Sequence, residues 1–241
     1  MPTPREGRSL NSADPTARLS IVIPVLNEGA SLADHLTALS SLGDQGVEII
    51  VVDGGSSDAS VHIARPLANR VIASQPGRAR QMNLGAQHAS APALLFLHAD
   101  TQLPGNAVEQ ITQALGRHAW GHFAINLSGR SRWLPVVSTM MNLRSRLTGI
   151  ATGDQGIFVH ASTFTAVGGF PDQPLMEDIE LSKRLKQLSH PACLRSKVIS
   201  SGRRWDQHGA WSTIRLMWRL RYRYWRGVSA TQLAREYRDA R

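Results

Sequence analysis

Cysteine occurs once, as Cys193. A lone thiol excludes an internal disulfide and any thiolate zinc cluster, agrees with a reducing compartment, and reads as a small packed side chain. Lysine is nearly as scarce: only Lys183, Lys186 and Lys197 stand among 27 basic residues, so the formal charge of +9 is carried by arginine. Such a surplus points to anionic partners, namely phosphates, acidic lipid or nucleic acid. No apolar run approaches the roughly 20 residues of a membrane-spanning helix. The most apolar stretch, Trp133–Leu143, is broken by Ser138, Thr139 and Asn142. Residues 1–18 lack the apolar segment of a secretory signal and read as a disordered tail on a cytoplasmic protein.

What the chain does have is alternation. With 42% apolar residues over 241 positions it can bury an ordinary globular core. Apolar runs at Leu19–Val25, Val47–Val52, Arg70–Ala73 and Ala93–His98 read as strands, separated by helix-like stretches. Helix starts are expected at Ser31 with Asp34, at Ser56 and Ser57 before Ala59, and at Pro104 after Thr101. This is the layout of an α/β nucleotide-binding fold, Rossmann-like, with a mostly parallel central sheet flanked by helices. The second half adds a strand at Trp120–Leu127, a helix near Leu134–Leu147, the segment Gly153–Val159 and a helix from about Asp178 to Leu188, with Leu181, Leu185 and Leu188 as its buried stripe. The simplest division is a tail at 1–18, a catalytic domain at 19–205 and a basic amphipathic helical extension at 206–241.

Open parallel sheets bind ligands beyond the carboxyl ends of their strands, which singles out Asn27, Asp53 and Asp100. The first strand runs into Pro24, Val25, Leu26, Asn27 and Glu28 without the Gly-rich turn that a dinucleotide needs, which argues against NAD or FAD. Asp53 is followed by Gly54 and Gly55, which permit close backbone approach, and its carboxylate can accept a hydrogen bond from a base N–H or a ribose hydroxyl. Asp100 stands where a Mg²⁺ or Mn²⁺ ion bridging a diphosphate needs an oxygen ligand. Glu177 and Asp178 open a helix, a place that orients a carboxylate and keeps it ionised, hence usable as a general base. Turn closure and helix capping are the ordinary duties of such acids. Arg78 and Arg80 can contact donor phosphates or stand solvated at a helix start.

The ordered series Pro24-x-x-Asn27-Glu28, Asp53-Gly-Gly-Ser-x-Asp58, Ala99-Asp100 and Gly168-Gly-Phe170 before Glu177-Asp178 resembles the motif series of the family 2 glycosyltransferases. The resemblance spans about Leu19 to Leu188. Gly77–Asn83, Leu97–Thr101 and Pro174–Asp178 look narrower still, similar to bacterial radical-SAM or selenodomain-associated transferases near the glycosyltransferases of carotenoid-like acids. The resemblance implies a GT-A fold, a nucleotide-sugar donor that is often UDP-linked, a divalent metal and inversion at the anomeric carbon. By position it assigns Asp53 to the base, Pro24, Asn27 and Glu28 to the first donor motif, Asp100 to the metal and Asp178 to proton abstraction. It also implies that Asp154, within Gly153–Gly156, contacts a sugar hydroxyl.

The sequence departs from the pattern twice. His98 replaces the first Asp of the metal motif, so a second negative charge is missing, although a histidine can ligate Mn²⁺ or bond ribose. Ser201-Gly-Arg-Arg204-Trp205 resembles the end of the motif of processive members, with Ser201 in place of Gln, and implies a single transfer near Arg204 and Trp205. A nucleotidyltransferase and a non-catalytic basic adaptor for membrane or nucleic acid are the rival classes; nucleic acid is not the expected partner.

From Trp211 to Arg226, Trp211, Ile214, Trp218, Tyr222 and Trp225 recur at helical intervals among five arginines. This basic amphipathic helix can lie on an acidic bilayer, on the inner face of the membrane, or pack against the catalytic domain or the second subunit of a homodimer.

Overall fold

The computed structural model describes residues 17–239. All but two residues of the expected tail lie outside that range. Arg18 donates its N–H to the Gly46 carbonyl at 2.7 Å and leads directly into the sheet.

Strands β1 (Leu19–Val25), β2 (Val47–Asp53), β3 (Arg70–Ala73) and β4 (Ala93–Phe96) form the first half, with helices α1 (Gly29–Ser40), α2 (Ser60–Ala64) and α3 (Arg78–Gln87) between them. The short strand β5 (Thr101–Gln102) and helix α4 (Ala107–Leu115) follow. The second half comprises β6 (Trp120–Ser128), α5 (Leu134–Thr148), β7 (Ile157–His160), α6 (Ala161–Ala166), α7 (Glu177–Leu188), β8 (Ala192–Ser201), α8 (Arg203–His208), α9 (Ala210–Trp225) and α10 (Ala230–Asp239). One eight-stranded sheet results, in the order β3-β2-β1-β4-β7-β6-β8-β5. β1 pairs in parallel with both β2 and β4, so the strand order reverses between β1 and β4, the place where open parallel sheets bind ligands.

The period of two explains why the runs are continuously apolar. Leu19, Ile21, Ile23 and Val25 of β1 join one core layer with Leu32, Leu36 and Leu39 of α1, while Val22 joins the opposite layer with Met82 of α3. A strand covered on both faces has no polar side to show. Each fully buried leucine contributes about 1.5–3 kcal/mol. Gly85 lets α3 lie directly on β1, because a Cβ there would sit 2.3 Å from Cγ1 of Val22. The charged Glu48 is tolerated inside because Ser20 Oγ, the Ser90 N–H and hydroxyl, and Arg70 Nε all donate to its carboxylate.

Several local expectations need correcting. α1 starts at Gly29, two residues before Ser31, because its first free amide is capped across the loop: the Gly29 N–H donates to Asp58 Oδ2 at 2.9 Å. α2 starts at Ser60, whose N–H and hydroxyl both donate to Asp58 Oδ1. α4 starts at Ala107, and Pro104 supplies only the carbonyl that receives the Ala107 N–H. Leu188 is the last residue of α7 and is 59% exposed, so the buried face is Ile179, Leu181, Ser182 and Leu185. The expected division at 205/206 falls inside α8, and Leu220 and Leu233 beyond it share a core cluster with Met176 and Ile179.

Candidate active site

The tips of β1 and β2 are tied into one ledge. Asn27 takes a left-handed backbone (φ 56°), which asparagine tolerates, and its Oδ1 accepts the Ser57 N–H at 2.8 Å while its own N–H donates to Ser56 Oγ. Asp53 folds its carboxylate over its own turn, accepting the Gly55 N–H at 3.0 Å and the Ser56 N–H at 3.1 Å. A carboxylate has about four acceptor positions, so capacity for a ligand N–H remains. Beneath the ledge the buried Gln81 donates to the carbonyls of both Val25 and Val52 at 2.8 Å, locking the two tips together.

Across the crevice stand Glu28, after β1, and Asp100, after β4. Arg203, the first residue of α8, bridges them, with Nη2 3.4 Å from Glu28 Oε2 and 3.6 Å from Asp100 Oδ2. His98 precedes Asp100 by two residues. Its Nε2 is buried without a hydrogen-bond partner, and Gly153 faces it so closely that a Cβ there would lie 2.6 Å away. Burial, and secondarily the charge of Arg78, holds the His98 imidazole well below its usual pKa, so the ring is neutral at neutral pH. A neutral, unpartnered imidazole nitrogen and a nearby carboxylate are a donor set that suits Mn²⁺ or Mg²⁺. The described residues contain no cluster of three or more His, Cys, Asp or Glu able to hold an ion. Side chains alone would therefore not complete the ligand set of an ion held there.

The facing wall is built on the start of α7. Met176 adopts a left-handed backbone (φ 65°), a strained choice costing about 1–3 kcal/mol, and it is held there by burial against Leu220 and Leu233. That turn aims Asp178 back over the short Gly153–Gln155 helical turn, where Asp178 Oδ2 accepts the Gly153 N–H at 2.9 Å. Its Oδ1 accepts the Ile179 N–H at 2.7 Å. Glu177 is buried 3.8 Å from Arg78, and its pKa is pushed up to about 7, chiefly by burial and then by the charge of Asp178, against the pull of Arg78. Burial likewise raises Asp154, whose Oδ1 is unpartnered. The buried guanidinium of Arg144, with Nε and Nη2 unpartnered, feels both Asp154 and Asp178.

The family profile for glycosyl transferase family 2 matches residues 20–165. The chain belongs to glycosyl transferase family 2. Its fold is similar to that of residues 1–349 of S. aureus TarS, with a TM-score of 0.60 and 16% identity over 76% of this chain and 60% of that one. It is also similar to the mannosyltransferase PcManGT from Pyrobaculum calidifontis, solved with GDP-Man and Mn²⁺, with a TM-score of 0.64 and 18% identity over 85% of this chain and 63% of that one. A third likeness is glucosyl-3-phosphoglycerate synthase from Mycobacterium tuberculosis, solved with Mn²⁺, UDP and glucosyl-3-phosphoglycerate, with a TM-score of 0.54 and 19% identity over 81% and 77% of the two chains. The family 2 chain thus spans about three fifths of the length of TarS 1–349 and of PcManGT, and 36% of the length of TarS itself. At these identities the likeness is one of fold, the GT-A arrangement of a curled, mostly parallel sheet flanked by helices.

In this family 2 chain the residues singled out from sequence do not all meet. Asn27, Glu28, Asp53, Asp100 and His98 line the strand ends, and Glu177, Asp178 and Asp154 gather opposite them with Arg78. Pro24 lies within β1, paired with Val52, and contributes no side-chain donor. Arg80 points to the surface and pairs with Asp172 at 2.8 Å. Arg204 lies over the Tyr237 ring at 3.9 Å, and Trp205 packs on the core beneath. Their neighbour Arg203 is the one that reaches the carboxylates. Sequence reasoning passed over Arg203, Arg144 and Gln81. For Arg203 a signal was present, since adjacent helical positions point about 100° apart and a motif one residue off faces a different wall.

Proposed function

We propose that this protein transfers a single sugar from a nucleotide-diphosphate donor, UDP-linked in our reading, to an acceptor hydroxyl with inversion at the anomeric carbon. The observation that carries the proposal is the Asp178 carboxylate, fixed by two backbone amides at a helix entrance, opposite the strand tips that form the donor crevice. Asp178 takes the acceptor proton while the acceptor oxygen bonds to the anomeric carbon from the face opposite the diphosphate. The bond from that carbon to the donor phosphate breaks, and the electron pair leaves on the diphosphate. Asp53 accepts an N–H of the base, and Asn27 and Glu28 shape the crevice floor. Arg78 and Arg203 supply charge-assisted contacts to phosphate. A divalent ion, when bound by Asp100 and His98, supplies further positive charge against the departing diphosphate. Asp154 is assigned to a sugar hydroxyl.

TarS has been solved with UDP and UDP-GlcNAc, whereas PcManGT has been solved with GDP-Man. A base N–H facing Asp53 suits either nucleotide, so the preference for UDP is tested directly by competition between the two. The narrower likeness to radical-SAM-associated transferases is proposed on Gly77–Asn83 and Gly168–Pro171. Asn83 ties these segments together, donating to the Phe170 carbonyl at 2.8 Å and accepting its N–H at 2.9 Å.

Product analysis tests the reaction: nucleoside diphosphate supports transfer, and pyrophosphate would overturn it in favour of nucleotidyl transfer. Asp178→Asn should lower kcat by about 10²–10⁴ with the donor Kd unchanged. Wild-type turnover in that variant removes Asp178 from the base role.

A further inference from the structure

The aromatic stripe of α9 faces outward. Leu220 of that helix is fully buried against Met176 and Ile179, the residues on either side of Glu177 and Asp178, and it bolts α9 to the catalytic loop. On the opposite face Trp211, Trp218, Tyr222 and Trp225 are exposed, Trp218 at 71% and Trp225 at 75%. A second stripe runs along α5, where Val136, Met140, Leu143 and Leu147 recur at intervals of four, three and four and are exposed, Leu147 at 77%. The stripes meet where the rings of Trp133 and Trp211 pack edge to face, with centroids 5.1 Å apart. Isolated exposed apolar side chains need no explanation, but two joined stripes on neighbouring helices do.

Charge decides what covers this face. Neither α5 nor α9 contains an Asp or Glu. Arg146 on α5, Arg215 on α9 and Arg226 just after α9 are exposed at the edges of the stripes, and none of the three has a salt bridge among the described residues. Between α8 and α9 a cleft of about 420 Å³ is lined by His208 and Arg215 together with Arg204, which lies over Tyr237, and Arg219, which pairs with Glu236. A second copy docking isologously would set arginines against arginines with no acid to answer them. An acidic lipid surface offers phosphates to the arginines and acyl chains to the tryptophans, whose rings favour the headgroup boundary.

We propose that the joined outer faces of α5 and α9 form a docking surface for a bilayer containing acidic lipid. The surface stands without the transferase reading. Resting on that reading, it adds a consequence: α5 ends four residues before Thr152, and α9 is bolted beside Asp178, so docking brings the catalytic carboxylate to an acceptor carried in the membrane.

The test uses the full chain, sedimented with vesicles of phosphatidylcholine alone and of phosphatidylcholine mixed with phosphatidylglycerol. Binding is expected only to the mixed vesicles, with quenching of tryptophan emission by brominated acyl chains. Arg215→Glu should lower partitioning by about fivefold or more. Trp218→Ala with Trp225→Ala should lower it further while leaving donor hydrolysis unchanged, because neither side chain supports the core. Absence of binding to mixed vesicles, or unquenched tryptophan, overturns the proposal. So does a concentration-dependent dimer that both tryptophan substitutions dissociate, since the covering surface is then a second copy. Donor hydrolysis without vesicle binding sinks the docking surface alone, and vesicle binding without turnover of any nucleotide sugar sinks the transfer reading alone.

Discussion

Glu177 makes the fold sensitive to pH in a direction opposite to that of most carboxylates. Its pKa rises from an ordinary 4.5 to about 7, first because it is buried and next because Asp178 stands beside it. Below pH 4.5 the folded and unfolded chains both hold the proton and the residue costs nothing. Between there and pH 7 the unfolded chain has released the proton and the folded chain has not, so stability falls as pH rises and levels off above 7. That displacement corresponds to an upper limit of about 3 kcal/mol. Glu177→Gln keeps the shape and removes the titration. It also loses the 3.8 Å pairing with Arg78, but that guanidinium is half exposed and the pairing contributes little. The variant should therefore match the wild type near pH 4.5 and exceed it by about 1–3 kcal/mol at pH 8.

Urea unfolding followed by tryptophan fluorescence at pH 5, 6, 7 and 8 reads this difference. His35, His98 and His122 have lowered pKa values in the folded chain, His35 at about 4 because burial outweighs the charge of Asp100, so in the same window protons bind the unfolded chain first. Depressed histidines lose stability as pH falls, the opposite slope, so the wild-type curve alone is nearly uninformative. They are present in both proteins and cancel in the difference curve. A difference independent of pH, or a variant less stable at pH 8, refutes the reasoning.

Gly153→Ala should lower both stability, by about 1–3 kcal/mol, and transfer, because its Cβ meets His98 Nε2 at 2.6 Å; melting and turnover are measured together, and no change in either counts against the packing argument. Glu48→Gln should cost about 2–4 kcal/mol in denaturant, since an amide NH₂ would confront the donors of Ser20, Ser90 and Arg70. Arg203→Gln should have opposite effects on two ligands. Titration should show tighter Mn²⁺ at Asp100, relieved of its cationic neighbour at 3.6 Å, and the donor KM should rise about tenfold as a phosphate contact is lost.

The first half was legible because buried parallel strands leave an unusual trace, a run of apolar residues that stops on an acid. Asp53 and Asp100 are such stops, and the bounds of β1 and β3 follow the apolar runs residue for residue. Helix starts were less legible because their caps come from elsewhere in the chain. Asp58 serves Gly29 across 29 positions, a contact that no local pattern announces. β8 went unseen for a different reason: Arg195, Ser196 and Lys197 interrupt its apolar residues, and its place beside β6 is set by pairing with a bulge near His122 and Ala124. The α9 stripe was visible, but its direction was not. Leu220 and Leu216, lying outside the aromatic pattern, are what turn inward.

The substitution of His98 for an acid makes sense only with its surroundings. An aspartate there would add a negative charge to a site already holding Asp100, Glu28 and Asp178 within reach of three arginines. The neutral imidazole removes one charge, and burial together with Arg78 keeps it neutral. Glu177 and Asp154 are pushed toward their neutral forms by the same burial, while Asp178 is held by two backbone amides. Arg78, beside Glu177, and Arg144, beside Asp154, consequently face fewer fixed anions than the residue types suggest, whereas Arg203 stays paired with Glu28 and Asp100. On the proposed reading, cationic charge that these acids leave unneutralised is available to a diphosphate, and the neutral His98 and the surplus of arginine serve the same end, the binding of an anionic donor.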